Sequence, residues 1–232
     1  MKLLLKPTLC IPFLALMSFE LFAKAGNGGG RGETFPSRFL IILCAVFVSI
    51  VLNAIMKYRI SKRRNKVLKA LQRMKAHEPE WDEAKLVKFA KDQFMNIQNL
   101  LGMQNLIGLR KALGYKFYIE VEKHIEESIK KGERYTFSQL EIQDAFIVDF
   151  KNYINDNNDT FTVCFDANGT DQTIRKGKVA LENHLDFREF WAFRKQAGEW
   201  KLCEVTQAHG WEKFIDGNLV YEKIKKKNQH SI

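Results

Sequence analysis

The chain has 232 residues and a formal charge of +10, enough for one globular domain with extra segments and too short for two ordinary enzyme domains. The charge is unevenly placed: residues 57–75 hold nine Lys or Arg and no acid, while residues 76–232 hold 23 against 25 Asp and Glu. A broadly basic nucleic-acid-binding surface is therefore excluded for the larger part of the chain, because phosphate binding needs clustered cations on the folded domain.

The first 25 residues read as a secretory signal. Lys2 and Lys6 charge its start, Leu9 to Phe19 form an uncharged apolar run, and Ala23-Lys24-Ala25 has the small-x-small cleavage pattern, with an uncleaved signal anchor as the alternative. Residues 26–38 are a Gly-rich linker without the Lys-Ser/Thr ending of a phosphate loop. From Phe39 to Met56 there are 18 uncharged residues, apolar on every helical face. At ~1.5 Å per residue they reach roughly 27 Å, which suits a membrane-spanning helix.

The basic run follows at once, in a segment 57–80 read as a juxtamembrane helix or linker. Lys57, Arg59, Lys62, Arg63, Arg64 and Lys66 are candidate membrane-surface residues. By the positive-inside rule this flank stays in the cytoplasm, which places residues 57–232 in the cytosol, after a single span if the signal is cleaved and after two if it is kept. The same cations suit an anionic lipid surface or serve as a topology signal alone.

Beyond Trp81 the apolar spacing of three and four predicts helices over Trp81–Leu101, Leu106–Leu113 and Tyr115–Lys131, the last with Phe117, Tyr118, Val121, Ile125 and Ile129 inward. The period then changes to two, through Leu140 to Phe150, Phe161 to Phe165, Phe187 to Arg194 and Trp200 to Gln207. Asp166-Ala167-Asn168-Gly169 reads as a turn and Gln196 to Glu199 as a hairpin loop. Helices followed by antiparallel strands give an α+β domain over 81–207, its helices covering one face of a curved sheet. In the tail at 208–232, Trp211, Phe214, Ile215, Leu219 and Val220 precede Lys223 to Lys227, a pattern open to a membrane, to a partner or to the sheet itself.

Phe94-x-x-Ile97-Gln98, Leu106-x-x-Leu109-Arg110-x-x-Leu113, Phe187-x-Glu189-Phe190-Trp191-Ala192-Phe193 and Trp200-x-Leu202-x-x-Val205-x-Gln207 resemble, in order, the Tim44-like domain. The resemblance implies a cone of helices on a curved antiparallel sheet of the NTF2-like superfamily, with an apolar pocket between the two layers. It also implies a membrane-associated scaffold rather than an enzyme, recruiting a protein partner such as a chaperone, translocase or ribosome.

No residue spacing suggests a metal, a cofactor or a nucleophilic triad. Phe146, Trp191, Phe193 and Trp200 are candidate pocket residues, as either core or ligand lining. Asp144 interrupts an apolar row, so strict alternation aims its carboxylate into the pocket as a general base, whereas a bulge turns it to solvent. Glu189 shares its row with Trp191 and Phe193, so the same two readings apply to it, and its family-typical position in the resemblance implies a basic partner. Three functions stay in play: a protein-binding adaptor, a lipid-binding module at the bilayer and a pocket enzyme.

Overall fold

The computed structural model describes residues 35–210, 212–215 and 217–221. The signal segment, the linker up to residue 34, Trp211 and the Lys223 to Lys227 cluster lie outside them. The described residues fall into two compact units, one up to Lys62 and one from Arg63 onward.

Helix α1, Phe35–Lys75, carries the apolar run. Its stretch from Ile42 is long and apolar enough to cross a membrane, and its most apolar 18 residues are not buried among the described residues. In the unit from Arg63 onward the helix is amphipathic: Arg63, Val67, Ala70, Leu71 and Met74 are buried, three and four residues apart, while Arg64, Lys66, Lys69 and Arg73 stay exposed. Of the two readings of this segment, helix or linker, it is a helix up to Lys75, and its Val67, Ala70, Leu71 and Met74 belong to the domain core.

Arg63, expected at a lipid surface, is the anchor of that helix. Its Nε donates to the Val148 carbonyl at 2.8 Å, one terminal nitrogen donates to the Gly217 carbonyl at 2.6 Å, and the other pairs with the Asp149 carboxylate. A guanidinium presents donors in a planar fork, so one side chain ties α1 to the strand that carries Val148 and Asp149 and to Gly217 beyond it.

Trp81, fully buried in a short turn, packs its ring 5.3 Å from Phe150 and 5.8 Å from Trp200. Helix α2, Glu83–Gly102, is capped by Asp82, which accepts from Ala84 N at 2.9 Å and also pairs with Lys75 at 2.6 Å. Its inward stripe is Leu86, Ala90, Phe94, Ile97 and Leu101. Helices α3, Leu106–Ala112, and α4, Tyr115–Lys130, follow, α4 burying Tyr118, Val121, Ile125 and Ser128. Ile129, expected inward, is 52% exposed. Ser128 takes the buried position instead, donating to the Ile125 carbonyl and accepting from Gln104.

Strands β1, Glu133–Asn152, β2, Thr160–Arg175, β3, Lys178–Gln196, and β4, Glu199–Gln207, form an antiparallel meander, with β5, Val220–Tyr221, parallel to β1, giving the order β4-β3-β2-β1-β5. This is the expected α+β architecture, with the hairpin at Ala197–Gly198 where the sequence placed it. The turn expected at 166–169 is absent: β2 runs straight through it, and the reversal comes at Lys176–Gly177, both at positive φ. Gly169 is there because a Cβ would come within 3.1 Å of Leu140 and 3.2 Å of Phe137, so the residue marks close packing in mid-strand. Three register shifts in β1, at 138–141, 142–144 and 147–149, bend the strand.

The inner sheet face carries Phe161, Phe165, Trp191 and Phe193, covered by Phe89 and Phe94 of α2. Phe94 stacks on Phe165 at 4.7 Å, and Phe161 on Phe193 at 5.0 Å. The outer face carries a smaller layer in which Phe190 stacks on Phe214 at 5.5 Å, so the described part of the tail packs on the sheet.

Replacing Arg63 by Met strands the Asp149 carboxylate and two carbonyls in the interior. A loss of about 3–5 kcal/mol is expected, against less than about 0.5 kcal/mol for Lys66→Met on the exposed side of the same helix. Denaturant unfolding of the purified chain followed by tryptophan fluorescence, with Trp81, Trp191 and Trp200 buried or half-buried among the described residues, measures both.

Candidate functional site

The residues singled out from sequence do not converge. Trp191 touches a small apolar crevice of about 10 Å³ between α2, α4 and the sheet, bounded also by Ile97, Leu113, Phe117 and Leu202. Phe193 and Trp200 are committed to aromatic packing around Phe161 and Trp81. Phe146, expected beside them, lies in the outer layer under the Arg64 guanidinium, 4.5 Å from its ring centroid. Register decides this: Phe146 pairs with Cys164 and Cys164 with Phe190, a row one residue out of step with Val163 and Trp191.

Asp144 follows the same row. The register shift between Ile142 and Asp144 turns its carboxylate away from the inner face, where it accepts from its neighbour's amide at 2.8 Å and meets Arg64 at 3.4 Å, half exposed. Across the strands it faces Asp166, which holds Arg188 at 2.5 Å and 2.6 Å. The row is a charge ladder on the outer face.

Glu189 is the buried carboxyl on the inner face. Its Oε2 accepts from the Trp191 indole N–H at 2.9 Å, and it forms no ion pair among the described residues, which corrects the expectation of a basic partner. Burial pushes it up to about 7, the indole N–H pulling weakly the other way. It lines none of the three described cavities of the domain.

The larger apolar opening lies elsewhere, between α4 and β4, with a volume of about 420 Å³. Leu101, Phe117, Val121 and Val205 form its floor, Cys203 one wall, and Lys116, Glu120, His124 and Glu204 its rim. Phe117 and Val121 are one helical turn apart, so they present one apolar patch. Gly114, which opens α4, permits the close approach: a Cβ there would stand 2.5 Å from Cys203 Sγ, and its N–H donates to the Leu202 carbonyl at 2.8 Å. Burial lowers the pKa of His124 and keeps its ring neutral near pH 7, and Glu204 is already paired with Lys213 at 2.5 Å. The opening is thus apolar below and close to neutral at the rim. Sequence reasoning placed Phe117 and Val121 on the inward face of a helix and stopped there. The missed signal was Leu113-Gly114, an extended pair with no side chain at its end.

A second, wider hollow of about 810 Å³ separates the end of α4 from the β2–β3 hairpin, lined by polar residues including Glu133, Tyr135 and Arg175. Those three are bonded to one another, with Glu133 accepting from Tyr135 at 2.7 Å and Arg175 at 2.8 Å, which holds the Glu133 carboxyl below its ordinary range. No group of three or more candidate metal ligands occurs among the described residues.

A family model described as the Tim44-like domain matches residues 67–207. No curated protein matches the chain. Among solved structures, the crystal structure of the intermembrane space region of chloroplast protein ARC6 is similar at 9% identity and a TM-score of 0.40, covering 52% of this chain and 95% of that one.

Two outcomes test the placement of the carboxylates. Because the folded pKa of Glu189 is raised from 4.5 to about 7, the folded state holds a proton that the unfolded chain releases, so folding weakens as pH rises through that window and the loss is complete above it. Glu189→Gln, which keeps an acceptor for the indole, is expected to remove this dependence and to be more stable than the parent at pH 8 by on the order of 1–3 kcal/mol, read from unfolding curves at pH 5 and pH 8. Asp144→Asn, on the half-exposed outer row, is expected to change stability by less than about 1 kcal/mol by the same measurement.

Proposed function

Since the chain belongs to the Tim44-like domain family, we propose that it is a membrane-anchored adaptor whose domain, on the cytosolic side of an inner membrane, binds a protein partner in protein translocation or membrane-protein assembly. The protein joins a helix able to cross a membrane to a domain of a membrane-associated, protein-binding family. The placement of charge supports the cytosolic orientation. Nine Lys or Arg and no acid follow the apolar run, and cations within about 15–20 residues of a span hold that flank inside. In the proposed layout, residues 1–25 are the signal, 39–56 the span and 81–207 the partner-binding domain.

An acid-base role is disfavoured by where the carboxylates lie. Asp144 and Glu189 line none of the three described cavities, and the apolar opening at α4 offers His124 and the rim carboxylates as its titratable groups. Binding of an apolar group is the chemistry this opening suits.

A lipid-surface reading keeps one observation of its own. Lys66, Lys69 and Arg73 share one exposed face of α1 and form no ion pair among the described residues, although Arg64 and Lys75 beside them do. Such a stripe suits anionic headgroups, each charge contributing about 1 kcal/mol near the surface.

A reporter enzyme active only outside the cytosol, fused after Ile232, is expected to stay silent in cells, and activity there would reverse the orientation and remove every cytosolic partner. In lipid nanodiscs, amide exchange in residues 66–73 of the full chain is expected to slow when acidic lipid replaces zwitterionic lipid and to recover with added salt, since exposed charges are screened beyond about 10 Å at 0.1 M. Exchange indifferent to both would leave the cations as a topology signal.

A further inference from the structure

We propose that the edge of β4 and the apolar groove beside α4 together form a docking site for an extended, uncharged apolar peptide segment of the partner, which adds to the sheet as a further strand. This rests on the adaptor reading and specifies how the partner is held.

Two independent features meet at this place. The first is a free sheet edge. β4 ends the strand order and pairs only with β3, and among the described residues the only other backbone pairing on it is the parallel bridge from Leu113 to Leu202, closed by Gly114 N. That bridge is a one-residue start of a new strand. After it the chain turns into α4, leaving Cys203 to Thr206 without backbone partners on their outer side among the described residues. Unpaired strand edges are templates for an incoming strand, and natural proteins blunt them with charge, proline or a covering element. Here the neighbouring helix covers the edge at Leu202 and then diverges from it, opening the groove.

The second feature is the groove itself. About 420 Å³ of space floored by Phe117, Val121 and Val205 lies beside the open edge, with room for two or three large aliphatic side chains. An added strand directs alternate side chains to one face, so its inward residues would enter this space while its backbone bonds to β4. Charge selects the chemistry of the occupant. Lys116 and Glu120, of opposite sign and one turn apart, offset each other at the rim, His124 is neutral, and Glu204 is neutralised by Lys213. With the signs balanced at the rim, neither a polyanion nor a strongly basic segment finds a complementary field there, whereas a neutral apolar segment needs none.

The experiment uses the full chain in lipid nanodiscs, panned with a phage-displayed library of random decapeptides, with the tightest binder resynthesised. Three results are expected. The outward-facing amides within Cys203 to Thr206 exchange at least about tenfold more slowly when the peptide is bound. N-methylation of the peptide at alternate positions weakens binding by about fivefold per lost hydrogen bond, while the intervening positions tolerate it. Phe117→Ala weakens the same peptide about tenfold with the thermal unfolding curve retained. The N-methyl series leaves the protein unaltered, so it decides the matter even where a groove variant folds poorly.

Binding without β4 protection, binding insensitive to every N-methyl position, or displacement by oleate with no change at β4 would each overturn strand addition, the last in favour of an acyl-chain pocket. Recovery of no peptide would overturn it too. Crosslinking in cells separates this failure from that of the adaptor reading: a partner captured through another face of the domain removes the groove and keeps the adaptor, whereas no captured partner together with no bound peptide removes both.

Discussion

The inner face of the sheet presents Phe161, Phe165, Trp191 and Phe193 in adjacent rows, and four aromatic side chains on one pleated surface have to be covered. Burying a large side chain contributes about 1.5–3 kcal/mol, far more than a surface ion pair, so this face sets the position of everything packed on it. Helix α2 supplies Phe89 and Phe94 at its centre, Trp81 closes one end against Phe150 and Trp200, and the Val67 to Met74 stripe of α1 joins the same core. The bulges of β1 follow from the same demand, since a flat strand would not wrap its buried run from Ala145 to Phe150 around the helices.

The consequence for chemistry is that the middle of the inner face is filled. Trp191 occupies the space a ligand would need and holds Glu189 through its indole N–H, which makes the buried carboxyl a structural partner of the core. The unfilled space is displaced to the margin, where α4 leans away from β4 and where backbone, as well as side chains, is open to a partner. A binding module needs such a margin, because a central pocket selects small molecules while a sheet edge accepts a chain.

Charge is distributed by the same logic. Most acidic side chains of the domain near a cation are used in pairs, as in Arg188 with Asp166, Lys195 with Glu80 and Lys75 with Asp82. Arg63 shows how composition misleads. It sits in a run of nine cations and reads as one more membrane-facing charge, yet its three bonds to Val148, Gly217 and Asp149 make it the best-buried cation of the run. Lys66, Lys69 and Arg73, of the same composition and a turn or two away, point the other way.

Periodicity alone determined the apolar run after Phe39, the three domain helices to within a few residues, the class of fold and the hairpin at Ala197–Gly198, because each is a local pattern of burial or of backbone preference. The family was legible from short strings such as Phe190-Trp191-Ala192-Phe193, which record core packing. What local pattern does not contain is register. A shift of one residue moves a strand's side chains to the opposite face, so the bulges of β1 placed Asp144 and Phe146 on the outer layer, and the straight run of β2 through Asn168-Gly169 overrode a turn signal. The α4 opening was equally out of reach, since Phe117, Val121 and Val205 are ordinary core residues in sequence and become a groove only where a helix and an edge strand diverge. Faces and elements are local properties of the chain; cavities, free edges and the burial of one arginine among nine cations are decided by which surfaces meet, and that is settled only when the whole core closes.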